Sequence, residues 1–316
     1  MASQDSYERK IAMLNSLLGG EILEPLTDQN ITEIMVNPDG KLWLDGLDHG
    51  KLFSGTRLSA ERIRSIIKLV AAINNLHVNE SSPELSATLP RNEARFQGWI
   101  EPVVNSPCFN IRALAKRIFT IDDYLQRSAL TAEQAEQLRH AIIERRNIIV
   151  AGGSGSGKTT FTNALLHELR SSKERIILIQ DLNELALSTP DCVALNTSAN
   201  KTIRDLVRGS LRMRPDRLII GEVRDGSALE MLKAWNTGHP GGICTIHANS
   251  VEAVIARLED LILEVMPTIP IRLIEEAIDL IVFMDRGKSN DHYRVAKVAE
   301  IASEISSSQN HSIHQR

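Results

Sequence analysis

Aromatic residues make up only 4% of this 316-residue chain, and it has just three cysteines. So few aromatics argue against a platform on which nucleic-acid bases stack. Cys108, Cys192 and Cys244 are scattered without a C-x-x-C spacing. That speaks against a zinc site or a disulfide framework and suits a reducing compartment. A basic surplus is missing too: the net charge is −4 with 24% charged residues, so duplex nucleic acid finds no electrostatic footprint. No apolar run approaches the ~20 residues needed to cross a bilayer. Residues 1–9 are polar and lack the apolar core of a secretory signal. The expectation is a soluble, intracellular protein with length enough for two domains.

What is present centres on one stretch. Gly152, Gly153, Ser154, Gly155, Ser156, Gly157, Lys158 and Thr159 fit G-x-x-x-x-G-K-[ST], with Thr160 following. The apolar run Ile148, Ile149, Val150 before it reads as a buried strand. Phe161, Ala164, Leu165 and Leu169 after it have helical spacing. Strand, glycine loop and helix together make a phosphate site: backbone N–H groups converge on phosphate oxygens, and the helix N-terminus adds partial positive charge. Lys158 would reach the β- and γ-phosphates and the Thr159 hydroxyl would hold Mg²⁺. The implied ligand is a nucleoside triphosphate such as ATP.

Upstream, Ile11, Leu14, Leu17 and Leu18 share one helical face over residues 7–18, suited to packing on its own domain or a neighbour, or to lying on a membrane surface. Residues 31–44 read as a hairpin around Asn37, Pro38, Asp39 and Gly40. Ser59 is placed to cap a helix carrying Ile63, Ile66, Ile67, Val70 and Ile73. A β-rich stretch covers residues 95–114, and an α+β domain ends near residue 117. Residues 118–130 read as a connector, and Thr131 with Gln134 forms a capping box for the next helix. Apolar runs at 176–179, 218–220, 243–246 and 280–283 alternate with helical patterns. That alternation predicts a mostly parallel α/β sheet over residues 131–302. Residues 303–316 are polar and read as a disordered tail.

Hydrolysis needs more than a phosphate loop. Acids must manage Mg²⁺ and orient water at the carboxyl ends of neighbouring strands. Glu222 ends the apolar strand Leu218, Ile219, Ile220, Gly221; Glu184 follows Gln180 and Asp181 after the 176–179 run. His247 ends a third apolar strand, and His239 sits in a glycine-rich turn before it.

Four blocks occur in fixed order: the glycine loop; Gln180 to Glu184; Arg214 to Asp225; and Thr237, Gly238, His239 with Thr245 to Asn249. Together they resemble the Walker A, Asp box, Walker B and His box of the secretion, or traffic, ATPase superfamily. The first domain resembles that family's N-terminal domain at residues 32–37, at Arg95 and Phe96, and at Ile111 and Arg112. Lacking an extra N-terminal domain and a four-cysteine motif, the chain is most similar to the short type IV secretion and conjugative-transfer branch. Gln180 departs from the Glu that usually opens the Asp box.

The resemblance implies a RecA-like P-loop domain behind a smaller α+β domain. It implies an ATP- and Mg²⁺-dependent ATPase in which Glu222 and Glu184 polarise water and His247 senses the γ-phosphate. Arg95 and Arg112, with Arg117 as a further candidate, would close over the nucleotide. It also implies a hexameric ring on the cytoplasmic face of the inner membrane, driving channel components of a conjugation or secretion system. Three other readings remain at this level: a pilus-retraction motor of the same superfamily, an assembly scaffold with little turnover, and a RecA-like nucleic-acid motor.

Overall fold

The computed structural model describes residues 2–46, 50–91, 94–113, 118–181, 183–198, 200–286 and 293–301. The chain divides into two units, Met1–Arg117 and Ile118–Arg316. The tail expected over residues 303–316, and Arg117, lie outside the described residues.

In the first unit, α1 (Ala2–Leu18) and α2 (Gly20–Thr27) precede β1 (Ile31–Val36), β2 (Lys41–Gly46) and β3 (Gly50–Arg57). After α3 (Ala60–Ile73) come β4 (Glu84–Thr88), β5 (Arg95–Trp99) and β6 (Cys108–Arg112). The Ser59 hydroxyl accepts from Arg62 N, so the expected N-cap starts α3. Ile63, Ile66, Ile67 and Val70 are buried on one face of it. That face joins the unit's core, and so does the α1 face: Leu14 and Leu18 are buried with it. The α1 stripe therefore packs within its own unit. The strands form a six-stranded sheet in the order β3-β2-β1-β6-β5-β4. Edge strands β3 and β4 carried no apolar run to announce them.

The second unit opens with α4 (Ile121–Gln126), inside the segment expected to be a bare connector. A capping box between Thr120 and Asp123 starts it, and Tyr124 packs edge-on against Phe161 with ring centroids 4.9 Å apart. Then follow α5 (Ala132–Ile143), capped by Thr131 and Gln134 as expected, β7 (Ile148–Gly152) and α6 (Lys158–Glu168). The chain continues through β8 (Ile176–Gln180), β9 (Cys192–Asn196), α7 (Ile203–Ser210), β10 (Arg217–Glu222) and α8 (Ser227–Asn236). It ends with β11 (Ile243–His247), α9 (Val251–Leu263), α10 (Ile271–Ala277), β12 (Leu280–Arg286) and β13 (Tyr293–Glu300).

The sheet order is β13-β12-β7-β11-β10-β8-β9. The β12–β7, β7–β11, β11–β10, β10–β8 and β8–β9 ladders are parallel; β12–β13 is antiparallel. All five residues of β7 and of β8 are buried, as strands covered on both faces require. Because β7, β8, β10 and β11 run the same way, their last residues, Gly152, Gln180, Glu222 and His247, share one edge.

The opposite edge is tied by charge. Arg217, buried at the start of β10, pairs with Glu174 and donates to Ile142 O at 2.9 Å; Arg145 also pairs with Glu174. Close packing is enforced at Gly242, where an added Cβ would overlap the indole of Trp235, whose Nε1 donates to Leu218 O at 3.0 Å. Gly242→Ala is expected to destabilise the second unit by about 1–3 kcal/mol, from overpacking and a strained buried hydrogen bond. Urea denaturation followed by Trp fluorescence checks this, and unchanged stability would contradict it.

Candidate nucleotide site

The loop after β7 leads straight into α6. Gly157 stands at the helix N-cap with φ +86°, in the left-handed region that favours glycine. A Cβ there would also press on the Tyr293 ring at 3.2 Å. The helix starts at Lys158, so Lys158, Thr159 and Thr160 occupy its first turn, where free N–H groups gather. Gly152, Ser156 and Lys158 are buried, Gly153, Gly157, Thr159 and Thr160 are partly covered, and Ser154 and Gly155 are exposed at the loop crown. A concave run of N–H groups with one buried ammonium beneath it is an anion cradle.

Lys158 Nζ donates to Gly152 O at 3.0 Å and Gly153 O at 2.8 Å, and lies 3.4 Å from His247 Nδ1. Those carbonyls satisfy an ammonium that burial would otherwise penalise. His247 reaches it because β11 is inserted between β7 and β10, setting His247 opposite Gly152 in register. On its other side, His247 Nε2 stands 2.9 Å from Glu222 Oε1. Burial and then the Lys158 ammonium push the His247 pKa down, against the pull of Glu222, so the imidazole is neutral at neutral pH. With Lys158 donating to Nδ1, the proton belongs on Nε2, facing the carboxylate. Lys158, His247 and Glu222 thus form one row along the sheet edge.

The Glu222 carboxylate is asymmetric. Oε2 takes a hydrogen bond from Arg224 Nη2 at 2.6 Å. Oε1 is buried and, despite the nearby imidazole, has no aligned hydrogen bond. An oxygen left this way is ready for a cation. Among the described residues, no group of three or more His, Cys, Asp or Glu could hold a metal by itself. A divalent ion here would rest on the Thr159 hydroxyl, Glu222 and the phosphates it arrives with. Such hard oxygen donors fit Mg²⁺.

Glu184 is placed by its backbone. Gln180 Oε1 accepts from Glu184 N at 3.2 Å and Leu185 N at 3.0 Å. Asn163 on α6 donates to Glu184 O at 3.0 Å and accepts from Ala186 N at 2.8 Å. The departure at Gln180 is thus accommodated: a neutral amide oxygen still clamps the loop. Asn163 was missed by sequence reasoning, and its only signal was a polar residue among the buried positions of α6. His239 lies at the far edge, its Nδ1 2.9 Å from Pro215 O, away from the strand ends that carry Glu222 and His247.

Arg95 and Arg112 belong to the first unit, where they face each other directly on β5 and β6; Glu33 on β1 is the other cross-strand neighbour of Arg112. Like charges placed opposite one another are unfavourable by themselves.

The chain matches the family described as type II/IV secretion system protein over residues 17–309, and it belongs to that family. It is 40% identical over 310 residues to the probable conjugal transfer protein TrbB of Sinorhizobium fredii, across 96% of this chain and 95% of that protein. The VirB11 ATPase of the Brucella suis type IV secretion system, solved in complex with sulphate, is similar with TM-score 0.51 at 26% identity, covering 95% of this chain and 98% of that one. The pilus retraction motor PilT with bound ADP gives TM-score 0.62 at 18% identity over 93% and 88%, a likeness of fold. The resemblance to secretion ATPases, and among them to the conjugative branch, is met.

Proposed function

We propose that this chain is an ATP-hydrolysing motor of a conjugative DNA-transfer or type IV secretion system, built on a RecA-like second unit. The row Lys158–His247–Glu222 beside the glycine loop carries the reading. In it the loop N–H groups and Lys158 bind the β- and γ-phosphates. Mg²⁺, when bound, would be held by the Thr159 hydroxyl and Glu222 and would supply positive charge beside the phosphates. Glu222 orients the attacking water with support from Glu184, and neutral His247 bridges Glu222 to Lys158, which lets it register whether the γ-phosphate is in place. Arg95 and Arg112 supply further positive charge in the closed state.

Family resemblance extends the proposal to a homo-hexamer on the cytoplasmic face of the inner membrane, working on inner-membrane channel components without itself binding duplex nucleic acid. Among the described residues no helix is long and apolar enough to cross a membrane, so attachment would be peripheral. The conjugal-transfer name of a relative that matches nearly end to end favours conjugation over pilus retraction. An acid and a histidine at adjoining strand ends speak against a scaffold that scarcely turns ATP over.

Glu222→Gln is the decisive variant, because it keeps the shape of the side chain and removes its charge. ATP is expected to bind still, with hydrolysis at least about tenfold slower, a barrier increase of about 1.4 kcal/mol or more. Phosphate release and nucleotide affinity, measured separately, check it. A normal rate per bound ATP together with collapsed affinity would make Glu222 a binding residue and overturn this role.

A further inference from the structure

Arg224 plays no part in the reading above, yet it makes the shortest polar contact to Glu222, with Nη2 2.6 Å from Oε2. Its side chain is 56% exposed while that of Glu222 is 17% exposed, so the cation hangs at the rim of the site over a mostly buried acid. Its other arm, Nη1, lies 4.0 Å from Asp181 Oδ2. Glu222, Asp181 and Glu184 together hold the Arg224 pKa above its ordinary value against the cost of burial. Asp181 is itself positioned, accepting from Thr197 Oγ1 at 3.1 Å. One guanidinium thus stands between the acid that ends β10 and the acids of the loop after β8.

A divalent cation drawing on Glu222 would meet this guanidinium across the same carboxylate. Two cations sharing one carboxylate repel each other, and the exposed, flexible one yields more cheaply than the one held by phosphates. Asp181 is a second acceptor already within reach. We infer that Arg224 is a positioning residue that holds Glu222 while the site is empty and passes to Asp181 when the divalent cation arrives with nucleotide. The inference rests on the proposed role of Glu222 toward that cation. The exchange ties the end of β10 to the loop after β8, so cation arrival is felt in both.

The experiment is a Mg²⁺ titration of the full chain with a fluorescent, non-hydrolysable ATP analogue, read as the Mg²⁺ concentration giving half-maximal binding. Arg224→Gln is expected to lower that concentration about threefold, the scale of a half-exposed ion pair. Arg224→Lys keeps the charge and is expected to stay close to wild type. Asp181→Asn removes the second acceptor and is expected to raise the concentration about twofold, a shift of opposite sign that general loosening of the fold would not produce. In a Glu222→Gln background, Arg224→Gln is expected to change nothing. An unchanged or raised midpoint in Arg224→Gln, or the same shift with and without Glu222, would overturn the inference. Should Arg224→Gln fail to fold, the Asp181→Asn shift decides alone, and its absence counts against the exchange. Wild-type nucleotide binding indifferent to Mg²⁺ would overturn the role given to Glu222 and this inference with it. Mg²⁺-dependent binding without the variant shifts would overturn the inference only.

Discussion

Lys158→Ala is expected to abolish ATP turnover, and with it transfer or secretion in cells. Lys158 is the buried side-chain cation at the base of the phosphate loop, resting on Gly152 O and Gly153 O. Those two carbonyls fix the ammonium beneath the glycine loop. Removing a preorganised charge of this kind costs roughly 10²–10³ in rate or more. Binding should weaken less, because the loop N–H groups and the first turn of α6 remain. Folding should survive as well, because alanine favours helix and the backbone of the first turn of α6 is unchanged. The check is phosphate release beside nucleotide affinity and a melting curve. Wild-type turnover in this variant would refute the assignment of the loop.

The second large effect is expected from the first unit. Phosphoryl transfer spreads charge over the equatorial oxygens, and many such enzymes bring in an arginine worth roughly 10³–10⁵ in rate. Arg95 and Arg112 sit in direct register on β5 and β6. Arg112 also has Glu33 as its cross-strand neighbour on β1. Arg112→Ala and Arg95→Ala, separately and together, are therefore expected to fold normally, bind nucleotide, and lose most turnover in at least one case. Unchanged turnover in all three would make the first unit a docking platform. Mixing Arg112→Ala subunits with Lys158→Ala subunits adds a distinction: recovered activity places the arginine in trans across a subunit boundary, and no recovery places it within one chain.

Much of this is legible in the sequence. Gly152 to Thr159 declare themselves because a phosphate loop needs glycine dihedrals, a lysine and a hydroxyl at set intervals along the chain. Ser59 and the Thr131–Gln134 box declare helix starts because capping is settled within four residues. The runs at β7, β8, β10, β11 and β12 declare buried strands because both faces of each are covered. Edge strands were silent for the converse reason: β3 and β13 are largely exposed, show no long apolar run, and exist because a neighbour offers its hydrogen bonds. The helix α4 was silent because six residues carry too little periodicity.

Residue types and local conformation are encoded within a few positions of one another, so the chain alone names Lys158, Glu222 and His247 as candidates. Who stands next to whom is another matter. His247 comes between Lys158 and Glu222 only because β11 is inserted between β7 and β10, and those strands are separated in sequence by whole helices. Arg224 meets Glu222 and Asp181, Asn163 clamps the Glu184 loop, and Arg95 faces Arg112 for the same reason. Strand order and register arise from packing the entire core at once, and no local stretch of sequence contains that information.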